Sequence, residues 1–157
     1  MLIATESDFY GGYYTHYRHH EGYRKRAELF KGFPEPVLVV GCGFGFLVAE
    51  LLKLGKRADG IDASPYAVSR RVTEHVCIAS VLDDMAPLGK FSTVITEDVL
   101  PCLTDKEAER AANNCALVAP IVIHLVTTQG TDTRLNYHST GYWMTLTKQF
   151  TVSLEGM

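Results

Sequence analysis

The chain has 157 residues, 46% hydrophobic and 21% charged, with a formal net charge of -3. That length fits one domain with a single core. The composition is that of a soluble globular protein with no long apolar run and no basic leader before an apolar stretch, which predicts a cytoplasmic chain that is neither secreted nor membrane-spanning, and the acidic balance gives no global attraction for nucleic acid.

In chain order, the leading segment Glu6 to Lys31 is aromatic and basic, turns helix-like from Tyr23 onward, and is expected to lie across the edge of a sheet. Its stretch "YYTHYRHHEGYRKR", residues 13–26, interleaves rings with cations. Such a pattern suits a single-stranded nucleic acid, with bases stacked and phosphates paired. It equally suits a lid over a ligand, and the lid is favoured because the net charge supplies no extended basic field. After Pro36, short aliphatic runs alternate with amphipathic segments, the pattern of parallel strands joined by helical crossovers. The spacing predicts strands at Val37 to Gly41, Arg57 to Asp62, His75 to Ala79, Phe91 to Glu97, Ile121 to Thr127, and near Phe150 to Leu154. Between the first two, Phe46 to Leu54 has helical spacing and stops at Gly55. Ser64 followed by Pro65 predicts a helix start, and Thr104-Asp105-Lys106-Glu107 has the form of a capping box. The fold class is therefore α/β, a Rossmann-like open, mostly parallel sheet flanked by helices, in one domain over residues 1–157. Residues 1–33 form the N-terminal lid or helix and residues 36–157 the core.

Cys42, Cys77, Cys102 and Cys115 lie far apart without a C-x-x-C pair, so neither a zinc knuckle nor a disulfide framework is indicated, and all four are expected to be buried thiols. The stretch "VLVVGCGFG" carries more chemistry. In an open α/β sheet the ligand sits beyond the carboxyl ends of the strands, where the turn after the first strand needs glycine. Gly41, Gly43 and Gly45 stand there, and Asp62 ends the next strand about 20 residues on, the place of an acid that pairs with ribose hydroxyls. A dinucleotide fingerprint would require a glycine at Phe46. Its absence disfavours a nicotinamide enzyme and suits a nucleotide without a pyrophosphate.

"VLVVGCGFG", "ADGIDASPYAV" and "FSTVITEDVLPCLTD" resemble, in that order, three motifs of the class I S-adenosylmethionine-dependent methyltransferases. "YGGY" (Tyr10 to Tyr13) and "DTRLNYHSTGYW" (Asp132 to Trp143) are similar to flanking segments of small proteins of that family. The resemblance implies S-adenosylmethionine as cofactor, held by the turn Gly41, Cys42, Gly43, Gly45 and Phe46, with the glycines under its methionine part. It implies Asp62 on the ribose, Ala63 against the adenine, Ser80 and Val81 near the adenine amino group, Glu97 at the mouth of the fourth strand, and Tyr13 or an arginine of the lid on the methionine carboxylate. Two positions depart from the family pattern, since Val39 and Ser80 stand where it has acids; either Asp83 or Asp84 is a candidate to replace the second. The sheet is expected to be trimmed at the C-terminus to about six strands.

Methyl transfer needs chiefly alignment, and no metal. A base helps when the acceptor is a hydroxyl or a protonated amine. The loops after the fourth and fifth strands offer Glu97, Asp98, Asp132, Asn136 and His138. His138 is the first candidate, on its ordinary pKa, and Asp98 is either a second base or a helix-entry carboxylate. His124 is expected in the core, while Tyr142 and Trp143 either line an acceptor pocket or anchor the terminal segment. The expected function is methyl transfer to a small-molecule acceptor, with a partner subunit an added possibility. The alternative is a cofactor-binding or partner-binding module without catalysis.

Overall fold

A computed structural model describes residues 18–133, 135–155 and 157; Tyr13 and the "YGGY" segment lie outside them. The elements are α1 (Arg18–Phe30), β1 (Val37–Val40), α2 (Phe46–Lys53), β2 (Ala58–Asp62), α3 (Pro65–Ser69), β3 (Val76–Ile78), β4 (Thr93–Glu97), α4 (Asp105–Val118), β5 (Ile121–Val126), α5 (Thr140–Thr147) and β6 (Phe150–Ser153). One-turn 3-10 segments at Ala86–Leu88 and Leu100–Cys102 precede and follow β4.

The six strands form one sheet in the order β3-β2-β1-β4-β5-β6, and every pairing is parallel. The order reverses between β1 and β4, so their carboxyl ends part there and leave a crevice, the usual place for a ligand in this architecture. Strand alternation sends Val37, Val39, Ile95, Ile123 and Leu125 to one face, where α1 and α2 cover them. Leu38, Val40, Val94, Val122 and Val126 go to the other, under α4 and Trp143 of α5. Ala108, Ala111, Ala112 and Cys115 make the buried stripe of α4, and such small side chains bring its backbone close to the sheet. The capping box at its start forms as expected, with Thr104 and Glu107 exchanging side-chain and backbone bonds. Ser64 likewise accepts from the Ala67 amide at the start of α3.

His124 is fully buried in β5, and its polar atoms are answered. Gln149 Nε2 donates to the Ala112 carbonyl (2.8 Å), which turns Gln149 Oε1 toward His124 Nε2 (2.6 Å); His124 Nδ1 then accepts from Thr96 Oγ1 (2.8 Å). The relay ties β4, β5, the residue before β6, and α4 together. Burial pushes the imidazole pKa down from 6.5 to about 4, against the opposing bond with Gln149.

Two expectations are corrected, those for the leading helix and for the cysteines. The helix of the leading segment reaches back to Arg18 and lies on a sheet face, not across an edge, because Tyr23, Ala27 and Phe30 fall at i, i+4, i+7 and bury against β1 and α2. The sheet, expected to be open and mostly parallel, is so, with every pairing parallel. Among the cysteines only Cys42 and Cys115 are buried; Cys77 is exposed, because β3 is an edge strand, and Cys102 is half-buried.

Candidate functional site

Beyond β1 the chain turns through Gly41, Gly43 and Gly45 with φ of 69°, 56° and 88°, the left-handed region that glycine enters without a Cβ penalty. Packing within the protein demands two of the three. A Cβ on Gly41 would come within 2.3 Å of Val99 Cγ2, and one on Gly45 within 2.6 Å of Val76 Cγ2. The third carries the polar link: Gly43 N–H donates to Asp62 Oδ2 at 2.8 Å, while Ser64 N–H donates to Asp62 Oδ1 at 2.9 Å. Asp62, 4% exposed, thus fastens the glycine turn to the end of β2. Each carboxylate oxygen accepts more than one donor, so an amide on each is compatible with a hydroxyl beside it.

Cys42 is buried with its sulfur against Gly60. Burial, together with nearby Asp62 and Glu97, raises its thiol well above the ordinary range. Phe46 opens α2 and stacks on Tyr23 of α1, ring centroids 5.4 Å apart, joining the leading helix to the turn. Ala63 is exposed just past β2. In the loop after β3, Ser80 Oγ accepts from the Leu82 amide and Val81 is buried. Asn114 of α4 donates to the carbonyls of Val81 (2.7 Å) and Asp83 (3.1 Å), which pins this loop. Asp83 and Asp84 are both exposed, and Asp84 accepts from the Ala86 amide. Val39 is fully buried in the apolar face under α1 and α2.

At the mouth of β4, Glu97 meets Arg26 of α1 across 3.6 Å, with side chains 8% and 17% exposed. Glu97 Oε1 and Arg26 Nε are buried without a hydrogen-bond partner. Desolvation raises the Glu97 pKa from 4.5 to about 8; Arg26 opposes the shift, while Asp98 and Asp62 add to it. Asp98, at φ 54°, turns its carboxylate to Thr127, which donates through N–H (2.7 Å) and Oγ1 (2.8 Å). Burial raises its pKa and these bonds oppose the rise. Its two-point bond with Thr127 makes Asp98 a clamp between the ends of β4 and β5.

The loop after β5 is built in two tiers. Glu155 accepts from Thr128, Gln129 and Ser153, and these bonds outweigh desolvation to hold its pKa down to about 2. Farther on, Asn136 N–H donates to the Pro101 carbonyl (2.7 Å), and the Tyr137 hydroxyl lies over Gly130, within 2.5 Å of where a Cβ would stand. The half-buried His138 stacks on Tyr142 at 3.7 Å, and Tyr142 donates to Asp105. Trp143 is fully buried and anchors α5. The structure joins the glycine turn to Asp62 through Gly43, sets Asp62 and Asp98 near Glu97, and lays His138 on the face of Tyr142. Sequence reasoning does not single out Arg26, Thr127, Tyr137 or Glu155. Arg26 has a signal, since it neighbours the buried stripe of α1 within the basic stretch.

Among the described residues no group of three or more His, Cys, Asp or Glu is arranged to hold a metal ion. No helix among them is long and apolar enough to cross a membrane.

This strand order, with its glycine turn and an acid closing β2, is the Rossmann-like α/β fold of the class I S-adenosylmethionine-dependent methyltransferases. Solved structures carry the comparison. A TehB-like SAM-dependent methyltransferase from Corynebacterium glutamicum superposes with a TM-score of 0.66 at 14% identity, over 91% of this chain and 83% of that one. Magnesium protoporphyrin IX methyltransferase from Synechocystis PCC 6803, solved with bound SAH, gives 0.65 at 18%, over 82% and 70%. The CcbJ methyltransferase from Streptomyces caelestis gives 0.56 at 18%, over 64% of this chain and 48% of that one. The chain spans about half the length of the first solved structures it matches. No family model and no curated protein matches the sequence.

Proposed function

We propose that the protein is an S-adenosylmethionine-dependent methyltransferase acting on a small-molecule acceptor. The observation that carries this reading is the buried Arg26–Glu97 pair at the crevice between β1 and β4, with polar atoms unanswered on both partners and Asp62 beside it. A ligand with an adenosyl ribose at one end and an amino-acid zwitterion at the other matches that donor and acceptor set. Asp62 takes the ribose hydroxyls, Ala63 lies against the base, and Ser80 and Val81 line its far side. The turn carrying Gly41, Cys42, Gly43, Gly45 and Phe46 closes over the middle, and Tyr13 belongs to the lid. When bound, the cofactor supplies a methyl group already activated on sulfur.

The chain's own task is to orient and to exclude water. Asp98 is a positioning residue in this reading, because both its oxygens already accept from Thr127. His138 is kept as the proposed proton acceptor, on the loop that follows β5. Proteins of similar fold include a sugar N-methyltransferase from Streptoalloteichus sp. ATCC 53650 and a magnesium protoporphyrin IX methyltransferase. Both acceptors are small molecules, which supports that class here. In this reading the protein is a cytoplasmic enzyme with no membrane partner, and nucleic acid is the less favoured partner beside a small molecule.

The test is calorimetric titration with S-adenosylmethionine and S-adenosylhomocysteine, with NADH as control and Asp62→Ala in parallel. Binding of both sulfur ligands, lost in the variant, is expected. Failure of both to bind would sink the reading, and binding without turnover on any acceptor pool would turn it into a non-catalytic module.

A further inference from the structure

Three carboxylates, Asp62, Glu97 and Asp98, converge at the crevice, and Arg26 is the cation beside them among the described residues. They are not equivalent. Asp62 accepts two backbone amides, and Asp98 accepts an amide and a hydroxyl. Glu97 has one oxygen 3.6 Å from the guanidinium and one with no partner, although its side chain is only 8% exposed. A buried carboxyl left unsolvated on one oxygen favours its neutral form, and like charges nearby push the same way. The groups that face it are Arg26 on α1, the Cys42 thiol after β1, Asp62 at the end of β2 and Asp98 after β4. One guanidinium cannot neutralise three carboxylates.

An α-amino acid carries a carboxylate and an ammonium side by side, a spacing comparable to that between Arg26 and Glu97. We infer that Glu97 exchanges its proton for the ligand's ammonium: entry of an amino-acid zwitterion hands the carboxylate to Arg26, brings the ammonium to Glu97, and releases the Glu97 proton to solvent. Only that O–H breaks: the ammonium's positive charge takes the place of the departing proton's beside Glu97, and the incoming carboxylate's negative charge is met by Arg26. This deepens the cofactor reading above and rests on it. It makes Glu97 a specificity-determining residue that favours ligands with the amino-acid part over adenosine derivatives lacking it, and it makes affinity depend on pH.

The consequence follows from linkage. With the free-site pKa at about 8, Glu97 is mostly protonated at neutral pH, so binding must remove close to one proton. Affinity should then rise by roughly tenfold per pH unit up to that value and level off above it.

The experiment is calorimetric titration of the full chain with S-adenosylhomocysteine at neutral pH in two buffers of different ionisation enthalpy, with 5′-methylthioadenosine as the ligand lacking the amino-acid part. The expected result is about one proton released with the first ligand and none with the second. Glu97→Gln should bind S-adenosylhomocysteine with no proton release and a flat pH profile. Equal proton counts for the two ligands, or an unchanged count in Glu97→Gln, would overturn the inference while leaving the cofactor assignment intact. The comparison of ligands on the native protein needs no variant, so a folding defect in Glu97→Gln does not rescue the idea. Absence of S-adenosylhomocysteine binding is a different failure: it removes the cofactor reading and the inference with it.

Discussion

Asp62 receives the Gly43 amide at 2.8 Å, so one side chain at the end of β2 fixes the turn that follows β1. Asp62→Ala leaves that amide and the Ser64 amide without their acceptor in a buried place, and unmet buried donors cost about 1 to 3 kcal/mol each. We expect a loss of about 2 to 4 kcal/mol in urea unfolding, with loss of S-adenosylhomocysteine binding. Asp62→Asn, which keeps one carbonyl oxygen, should lie between. A variant as stable as the parent would show that the turn holds itself.

Gly45 and Gly55 separate backbone conformation from crowding. Both have positive φ, 88° and 78°, yet a Cβ on Gly55 meets nothing within 4 Å, whereas one on Gly45 meets Val76. Gly55→Ala should cost about 1 kcal/mol, the left-handed penalty alone. Gly45→Ala should cost about 2 to 4 kcal/mol, since overpacking adds to it. Equal losses in chemical denaturation would contradict the assigned contact.

Asp98 and Thr127 join two strand ends by two bonds. Asp98→Asn retains a residue that tolerates positive φ but turns an NH2 toward one of the donors. A destabilisation of about 2 kcal/mol is expected, and Thr127→Val should reproduce about half of it. If Asp98→Asn abolished turnover while stability and Thr127→Val activity stayed at parental levels, Asp98 would be a catalytic residue and not a clamp.

His124 should set part of the acid sensitivity. Its folded pKa is about 4 against 6.5, so between those values the unfolded chain holds more protons and stability rises with pH. The contribution is complete above 6.5 and shrinks as pH falls to about 4, by at most about 3 kcal/mol. His124→Gln should flatten that portion of the stability curve. An imidazole resonance titrating near 6.5 in the folded protein would rule this out.

Glu97 acts with the opposite sign. Its folded pKa is raised from 4.5 to about 8, so the folded state holds more protons across that window and stability declines as pH rises through it. Glu97→Gln should remove the decline and make the protein more stable than the parent at pH 8, measured by urea unfolding. A variant less stable than the parent at pH 8 would mean that Arg26, stripped of its partner, costs more than Glu97 itself.

Much of the fold is legible in the chain because local chemistry and global architecture agree. All six strands lie within one or two residues of where the aliphatic runs put them: those runs are bounded by Gly, Pro and polar residues, and Ser64 and Thr104 announce helices with their own side chains. The glycine turn and Asp62 can be named because strand order fixes where they meet. Arg26 and Thr127 cannot, since their roles exist only through partners 71 and 29 positions away in sequence. His138 illustrates the same limit, because a polar loop says nothing of the ring it will lie against, and that ring is Tyr142.

The relay through His124 also bears on the order in which the molecule can be completed. A chain emerging from the ribosome presents β1 through β5 before Gln149 has been made, and until then the His124 Nε2 proton and the Ala112 carbonyl lack the side chain that joins them. A nascent sheet closed too early would bury an unanswered imidazole at its centre. The centre of the sheet is therefore finished only once Gln149, just before β6, has been synthesised, and a chain stalled before that residue should stay open to solvent and to proteases along β5.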